Sequence, residues 1–248
     1  MSALLARWRR GAAGDDVPVV SAARTHVGRV RAINEDRVLD RADRRLWAIA
    51  DGMGGHGGGD VAADAAIAAL AAMADAAAPI TAGTTAAALA TAHRRIAAGA
   101  GPSGTTIVVL HLAGASATVS WAGDSRCYLV RDGAVRQLTR DHSVVQELID
   151  AGILAPRDAA RHPSAHVVTR ALGVEPLADL EALSVETRPG DRLLLCSDGA
   201  SRSLVDRDLA ACEAVPAYAD RLLTAALQRD GTDNISVIAV AIGPEPTA

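Results

Sequence analysis

Four short acidic turns recur along the chain, and each lies beside an apolar run typical of a strand. The turns are Asp51-Gly52-Met53-Gly54-Gly55-His56, Gly123-Asp124-Ser125-Arg126, Ser197-Asp198-Gly199 and Thr232-Asp233-Asn234. The runs are Leu46 to Ala50, Val119 to Ala122, Leu193 to Cys196 and Ile235 to Val240. An aspartate at a buried strand's end, with a glycine beside it, brings a carboxylate to the rim of a sheet. Together with Glu35-Asp36 upstream, the turns indicate carboxylates that converge on hard cations.

Composition sets the broad class. A chain of 248 residues can bury a substantial core as one domain. Aromatic residues are only 2% and phenylalanine is absent, so the core must be built from Ala, Val, Leu and Ile. The net charge of −4 favours neither nucleic acid nor an anionic membrane as partner. Every basic side chain other than histidine is arginine, which excludes a P-loop lysine and a Schiff-base lysine.

Cysteine usage and hydropathy predict a cytoplasmic protein. Cys127, Cys196 and Cys212 are too few and too scattered for a disulfide framework or a cysteine-rich zinc site. The first ten residues lack the apolar core of a signal peptide, and no apolar run approaches the length of a spanning helix. We therefore expect no membrane span, and a monomer is the simplest expectation.

The patterning predicts one domain between two short tails. Residues 1–16 are Arg-rich and without periodicity, which predicts a flexible leader, and residues 244–248 form a tail. The single domain then covers residues 17–243. Predicted strands are Val17 to Ala22, Leu46 to Ala50, Thr106 to Leu112, Ala117 to Ala122, Arg126 to Val130, Ala134 to Leu138, Leu183 to Thr187, Asp191 to Cys196 and Asn234 to Ala241. One helix is predicted to follow an N-cap at Asp60. Further helices are predicted over Thr85 to Ala98, over Ser143 to Ala151, near Leu209, and over Tyr218 to Gln228.

Helices in pairs and strands in hairpins predict an α+β layered sandwich rather than a parallel βαβ fold. The stretch Ala155 to Ala165 is polar and is predicted to be an exposed loop.

A set of short motifs, in order over about residues 25–241, resembles the metal-dependent protein phosphatase family, the protein phosphatase 2C-like serine/threonine phosphatases in their short bacterial form. The motifs are Gly28-Arg29-Val30-Arg31 with Asn34-Glu35-Asp36, Ala50-Asp51-Gly52-Met53-Gly54-Gly55-His56, Ser103-Gly104-Thr105-Thr106, Ala122-Gly123-Asp124-Ser125-Arg126, Leu138-Thr139-Arg140-Asp141-His142, Thr169-Arg170-Ala171-Leu172-Gly173, Ser197-Asp198-Gly199 and Asp233-Asn234-Ile235-Ser236. The resemblance implies a four-layer α-β-β-α sandwich, in which two antiparallel sheets are flanked by helix pairs.

The resemblance also implies a metal site. Asp51 would bridge two cations, with Asp198 and Asp233 on one, and Glu35 and the Gly52 carbonyl on the other. Asp124 would help Asp198 hold a weaker third cation. Asp36 and Asn234 would support these ligands from behind, and Arg31 would bind the substrate phosphate.

The expected chemistry is hydrolysis of a phosphomonoester. Two cations can lower the pKa of a shared water and neutralise phosphoryl oxygens, which suits attack by a metal-bridged hydroxide without a phosphoenzyme. Oxygen ligands favour Mn²⁺ or Mg²⁺ over Zn²⁺. A planar guanidinium such as that of Arg31 can hold two phosphate oxygens. The general acid stays open, with His56 as one candidate.

Two other functions remain open at the level of sequence. Cys196 to Ser203 fits the C-x-x-G-x-x-R-S loop of cysteine-dependent phosphatases, with Cys196 as nucleophile and Arg202 as phosphate ligand. The run Leu193 to Leu195 before Cys196 instead favours a buried, inert thiol. A non-catalytic regulatory module of the same fold is the second alternative, although the chain retains every expected carboxylate.

Phosphoserine and phosphothreonine on proteins are the expected substrates, and a bacterial Ser/Thr kinase is the expected functional partner. The stretch Ile153 to Val168 falls where the family carries its variable flap, and we expect it to tune substrate choice.

Overall fold

Two antiparallel sheets packed face to face form the centre of the molecule. The computed structural model describes residues 17–54, 58–76, 78–99, 101–174, 180–210 and 213–243. Its strands are β1 (Val19–His26), β2 (Asp36–Arg41), β3 (Leu46–Met53), β4 (Gly104–Thr105), β5 (Ile107–Ala113), β6 (Ser116–Ala122), β7 (Arg126–Arg131), β8 (Ala134–Gln137), β9 (Glu181–Glu186), β10 (Arg192–Cys196) and β11 (Ile235–Ile242). Its α-helices are α1 (Gly59–Asp75), α2 (Ala82–Ala97), α3 (Val144–Asp150), α4 (Asp198–Ser201), α5 (Asp206–Leu209) and α6 (Val215–Arg229).

The strand order separates the chain into two sheets. The first sheet runs β1-β11-β10-β7-β8, and the second runs β2-β3-β5-β6-β9 with β4 paired to β3. Every strand pair among the described residues is antiparallel. The expected α+β class and the two antiparallel sheets are therefore confirmed. No helix in the described part of the chain is both long and apolar enough to cross a membrane.

Aliphatic side chains from both sheets fill the space between them. Leu110 on β5 and Leu195 on β10 are fully buried there, and Trp47 supplies one of the few rings. The indole Nε1 of Trp47 donates to Asp40 Oδ1 at 2.8 Å, so its polar atom is satisfied at the margin of the core. The scarcity of aromatic residues is thus met by a core of branched aliphatic side chains, as the composition predicts.

The helical layers on the two outer faces differ from one another. On the second sheet α1 and α2 pack as a pair, and α1 buries a row of alanines with Leu70 against the strands. On the first sheet, within the described residues, one long helix, α6, is accompanied only by the four-residue helices α4 and α5. Helices therefore cover the outer faces of both sheets in the described part of the chain, as the predicted α-β-β-α sandwich requires.

Three local predictions need correction. Strand β2 is absent from the predicted strands, because only Val38 and Leu39 break its run of charged residues; pairing with β3 makes it a strand. Helix α1 begins at Gly59, one residue before the predicted cap, and the carboxylate of Asp60 accepts from the next backbone N–H instead. The predicted loop Ala155 to Ala165 contains a short 3-10 helix, Pro156–Arg161. The leader 1–16 and the tail 244–248 lie outside the described residues, and the single domain over 17–243 stays a prediction.

Truncation of the inter-sheet core should destabilise the fold. We expect Leu110→Ala to lower the free energy of unfolding by about 2–5 kcal/mol, because the removed methyl groups leave a cavity between the sheets. Leu183→Ala is the matched control, since Leu183 lies on the edge strand β9 and is 38% exposed; its loss should stay below about 1 kcal/mol. Urea denaturation followed by circular dichroism measures both values. Equal losses would mean that the inter-sheet space is not the main core.

Candidate active site

The ends of four strands meet at one end of the sandwich, and their carboxylates surround one cavity. Asp51 lies near the end of β3, Asp124 in the turn between β6 and β7, Asp198 at the start of α4 after β10, and Asp233 just before β11. The cavity has a volume of about 420 Å³. Its walls include the predicted site residues Arg31, Glu35, Asp51, Gly52, Asp124, Asp198, Asp233 and Asn234. The sheets therefore bring together residues that lie up to about two hundred positions apart in sequence.

Asp36 supports the cavity from within the protein. In the β2–β3 register it stands opposite Asp51, and it is only 2% exposed. The hydroxyl groups of Ser197 and Ser236 lie beside it, yet neither oxygen of Asp36 has a hydrogen-bond partner of good geometry among the described residues. Burial raises the pKa of Asp36 to about 7, and the charges of Asp198 and Asp233 add to this effect. A positive charge nearby would therefore favour the ionised form of Asp36.

Asn234 ties the loop that carries Arg31 and Glu35 to the rest of the site. Its side-chain oxygen accepts from the Glu35 N–H at 2.8 Å. Its amide nitrogen donates to the carbonyls of Val27 at 2.8 Å and Ile33 at 3.0 Å. The side-chain amide of Asn234 therefore makes three hydrogen bonds to this loop, and these hold the loop against the start of β11.

Close backbone approach explains two of the glycines in the acidic turns. A Cβ on Gly52 would lie 2.2 Å from the carbonyl oxygen of Gly59, and one on Gly199 would lie 2.1 Å from that of Asn234. Any larger residue would push these backbone segments apart. The glycines are therefore required because segments of the site pack backbone to backbone, and not because of unusual dihedral angles.

The clustered carboxylates repel one another. Burial raises the pKa of Asp51 well above its ordinary value, and the charges of Asp36, Asp198, Asp124 and Asp233 raise it further. Burial likewise raises the pKa of Asp124 to about 7, with Asp198 the next cause. The site therefore favours cations strongly, because only a positive charge allows these groups to be ionised together at neutral pH.

Two arginines supply part of that positive charge. Arg31, whose side chain is 52% exposed, donates to Asp233 Oδ2 at 2.9 Å. Arg202 contacts Asp198 Oδ2 at 2.9 Å and Asp124 Oδ2 at 3.2 Å. In the described part of the chain, no three histidine, cysteine, aspartate or glutamate side chains already stand as a closed group around one point. The carboxylates line a shared cavity, and the guanidinium of Arg202 contacts two of them, Asp124 and Asp198.

Cys196 is unsuited to nucleophilic chemistry. It is fully buried in the core between the first sheet and α6, and burial raises the pKa of its thiol to about 12. Arg202, which the cysteine-dependent alternative places on phosphate, is bound to Asp124 and Asp198 instead. The thiolate that this alternative requires is therefore strongly disfavoured.

Two residues in or near the wall of the cavity, His166 and Arg202, were not predicted from the sequence to belong to the metal site. His166 lines the cavity from the flap, but its segment carries no motif that could have indicated it. Arg202 was noticed only as part of the cysteine loop, and its contacts to two site carboxylates depend on how α4 leaves β10. His56, the candidate general acid, lies outside the described residues.

Removing the Asn234 side chain should loosen the Arg31–Glu35 loop. We expect Asn234→Ala to lower the free energy of unfolding by about 2–4 kcal/mol, because three hydrogen bonds of about 1 kcal/mol each are lost. Amide exchange of residues 27–35 should rise more than exchange elsewhere. Val30→Ala is the control on the same loop, because the Val30 side chain is 70% exposed. Uniform acceleration over the whole chain would contradict a local anchoring role.

Comparison with known proteins agrees with this geometry. The protein phosphatase 2C family model matches residues 25–235. The serine/threonine protein phosphatase PstP of Mycobacterium tuberculosis is 39% identical over 233 residues, which are 88% of this chain and 44% of that protein. The chain thus spans less than half the length of PstP. The serine/threonine phosphatase stp of Listeria monocytogenes is 35% identical over 238 residues, 88% of this chain and 93% of that protein.

Solved structures show the same architecture. The catalytic domain of the serine threonine protein phosphatase PstP, solved in complex with two manganese ions, superposes with a TM-score of 0.81. It is 37% identical, and the match covers 92% of this chain and 99% of that domain. The family match over most of the chain, the two relatives and the common fold together lead to one conclusion: this chain belongs to the protein phosphatase 2C family.

Proposed function

We propose that the chain is a metal-dependent protein serine/threonine phosphatase, which hydrolyses phosphoserine and phosphothreonine. The observation that carries this proposal is the single cavity in which Asp51, Asp198 and Asp233 face Arg31. Carboxylates of this density suit cations, and a half-exposed guanidinium at the mouth of the cavity suits a phosphate. The family to which the chain belongs, and the printed names of its relatives, support the same reaction.

The donor set fits hard divalent cations. The cavity offers carboxylate and carbonyl oxygens, and the described residues place no thiolate in its wall. Asp51, Asp198, Asp233, Glu35 and the Gly52 carbonyl would hold these ions, since all five residues line the cavity. The raised pKa of Asp51 and the unpartnered oxygens of Asp36 support such an assignment, because divalent cations would offset both.

Mn²⁺ and Mg²⁺ are the proposed ions, and Asp124 with Asp198 would hold a third. The PstP catalytic domain was solved with two manganese ions, which supports manganese at the first two positions. When bound, such ions acidify water and neutralise phosphoryl oxygens. The protein's own residues position the other components. Arg31 would hold the phosphate at the mouth of the cavity, and Asn234 keeps the loop of Arg31 and Glu35 in place.

The proposed substrates are phosphorylated proteins, and the proposed functional partner is a Ser/Thr kinase whose action the chain reverses. The half-exposed Arg31 supports this, because a phosphate on a protein surface must be reached from solvent. We further propose that the protein acts as a monomer in the cytoplasm and that it has no nucleic-acid partner.

Loss of the bridging carboxylate should abolish activity. We expect metal-stripped protein to release p-nitrophenol from p-nitrophenyl phosphate only after Mn²⁺ is added, and to stop when a chelator is added. Asp51→Asn should lower kcat by about a thousandfold, since several kcal/mol of transition-state stabilisation depend on it. Cys196→Ser, which removes the thiol outside the cavity, should retain most activity.

Chelator-resistant activity lost in Cys196→Ser would replace the metal mechanism by the cysteine one. Mn²⁺ binding without phosphate release at any metal concentration would favour a non-catalytic binding module.

Replacement of the phosphate-binding arginine should weaken turnover of all phosphate esters. We expect Arg31→Lys to lower kcat/KM by roughly tenfold to a hundredfold, because lysine cannot hold two phosphate oxygens in one plane. Arg29→Lys is the matched control, since Arg29 lies two residues away and is not in the cavity wall. Steady-state kinetics with p-nitrophenyl phosphate and a phosphothreonine peptide would measure both variants. An equal effect of the two substitutions would point to general loop damage.

A further inference from the structure

Arg202 connects two acidic residues of the cavity to the flap, residues 153–168. It directly follows α4, and its side chain is 28% exposed. One face of the guanidinium is held by Asp198 Oδ2 at 2.9 Å and Asp124 Oδ2 at 3.2 Å. The same group donates to the carbonyl of Ala165 at 3.2 Å and to Nδ1 of His166. A guanidinium can only donate, so Nδ1 of His166 is the acceptor in this contact.

The tip of the flap has few other polar ties to the body. Within the described residues, the hydrogen bonds and ion pairs of residues 155–166 stay inside the flap, except those with Arg202. The base of the flap is held differently, since the N–H of Val144 donates to the carbonyl of Val167 at 2.9 Å. Among the described residues, Arg202 therefore supplies the polar contacts between the tip and the acidic cavity, whereas α3 packs against the tip and holds the base.

A second cavity lies beneath this tip. It has a volume of about 560 Å³, and Arg202 lines it together with Pro156 and Ala160 of the flap. Its wall shares Asp124, Asp198 and His166 with the cavity of the acidic turns. The position of Arg202 thus affects two adjoining cavities together.

The charges around Arg202 are unequal. One guanidinium stands against two carboxylates, and it stays protonated at any physiological pH. It can leave Asp124 and Asp198 only by moving. A divalent cation at the same pair of carboxylates carries twice the charge and would compete for the same oxygens. A side chain that moves away from these carboxylates also leaves Ala165 and His166, because all four contacts involve one rigid group.

We propose that Arg202 is a built-in counter-cation that holds the flap tip closed, and that a divalent cation on Asp124 and Asp198 displaces it and releases the tip. The proposal rests on the divalent cations of the proposed function, and it adds a coupling between their weakest site and the flap. Coupling of this kind is reciprocal, so whatever loosens the flap must also strengthen cation binding at that pair.

Amide hydrogen exchange of the full chain tests the coupling directly. In metal-stripped wild-type protein, residues 153–168 should exchange slowly, and saturating Mg²⁺ should accelerate them by about tenfold, in line with the loss of charge-assisted hydrogen bonds. In Arg202→Gln the segment should exchange quickly with and without Mg²⁺. Arg140→Gln is the matched control, because Arg140 pairs with Asp150 near the flap but touches neither Asp124 nor Asp198.

Calorimetric titration with Mn²⁺ supplies an independent measurement. The Kd of the weakest Mn²⁺ site should fall about tenfold in Arg202→Gln. His166→Ala is the sharper variant, because His166 contacts Arg202 from the flap side and neither Asp124 nor Asp198 in any ion pair. We expect His166→Ala to lower the Kd of the same Mn²⁺ site by roughly fivefold, because of the reciprocal coupling. It also preserves the test if Arg202→Gln does not fold, which a thermal melt would reveal.

The outcomes separate this inference from the proposed function. Flap exchange that ignores Mg²⁺, or cation affinity unchanged in both His166→Ala and Arg202→Gln, would overturn the coupling even if Mn²⁺-dependent phosphatase activity is intact. Absence of any Mn²⁺ binding and of activity in the wild type would overturn the proposed function as well. Faster flap exchange and tighter cation binding in the same variants would establish the coupling.

Discussion

The crowding of buried carboxylates at one end of the sandwich is the constraint on which the rest of the site depends. Desolvation and mutual repulsion raise the pKa of Asp51 well above its ordinary value and those of Asp36 and Asp124 to about 7. Such a cluster is unfavourable unless cations offset it. The arginines Arg31 and Arg202 do so in part. The affinity for divalent cations that we propose is the direct consequence of this electrostatic cost.

The sandwich tolerates this cost because rigid elements hold the carboxylates in place. Asp36 and Asp51 are fixed by the β2–β3 register, and Asp233 is fixed next to β11, whose residues are buried along its whole length. The amide of Asn234 then binds the loop of Glu35 to this framework. A mainly aliphatic core beneath the site keeps the strands in register, so the repulsion cannot be relieved by small shifts of the backbone.

Sequence reasoning succeeded where local pattern and chemistry coincide. The apolar runs predicted most strands, and the acidic turns beside them predicted which residues share the cavity. It failed at β2, where charged residues hide a strand that exists only because it pairs with β3. It also failed to connect Arg202 with the metal site, because the local C-x-x-G-x-x-R-S pattern suggested a cysteine loop. In the structure the thiol of that pattern is buried and its arginine is bound to carboxylates.

The sequence by itself determined the fold class, the family resemblance and the carboxylates available for the site, because strand periodicity and acidic turns are encoded over short stretches. Only the tertiary structure decided which groups are desolvated, which carboxylates an arginine contacts, and that His166 of the flap reaches the cavity. These properties depend on contacts between distant residues, such as Asn234 and Glu35, which are 199 positions apart. Burial and electrostatic coupling arise when such segments meet, and no local pattern records them.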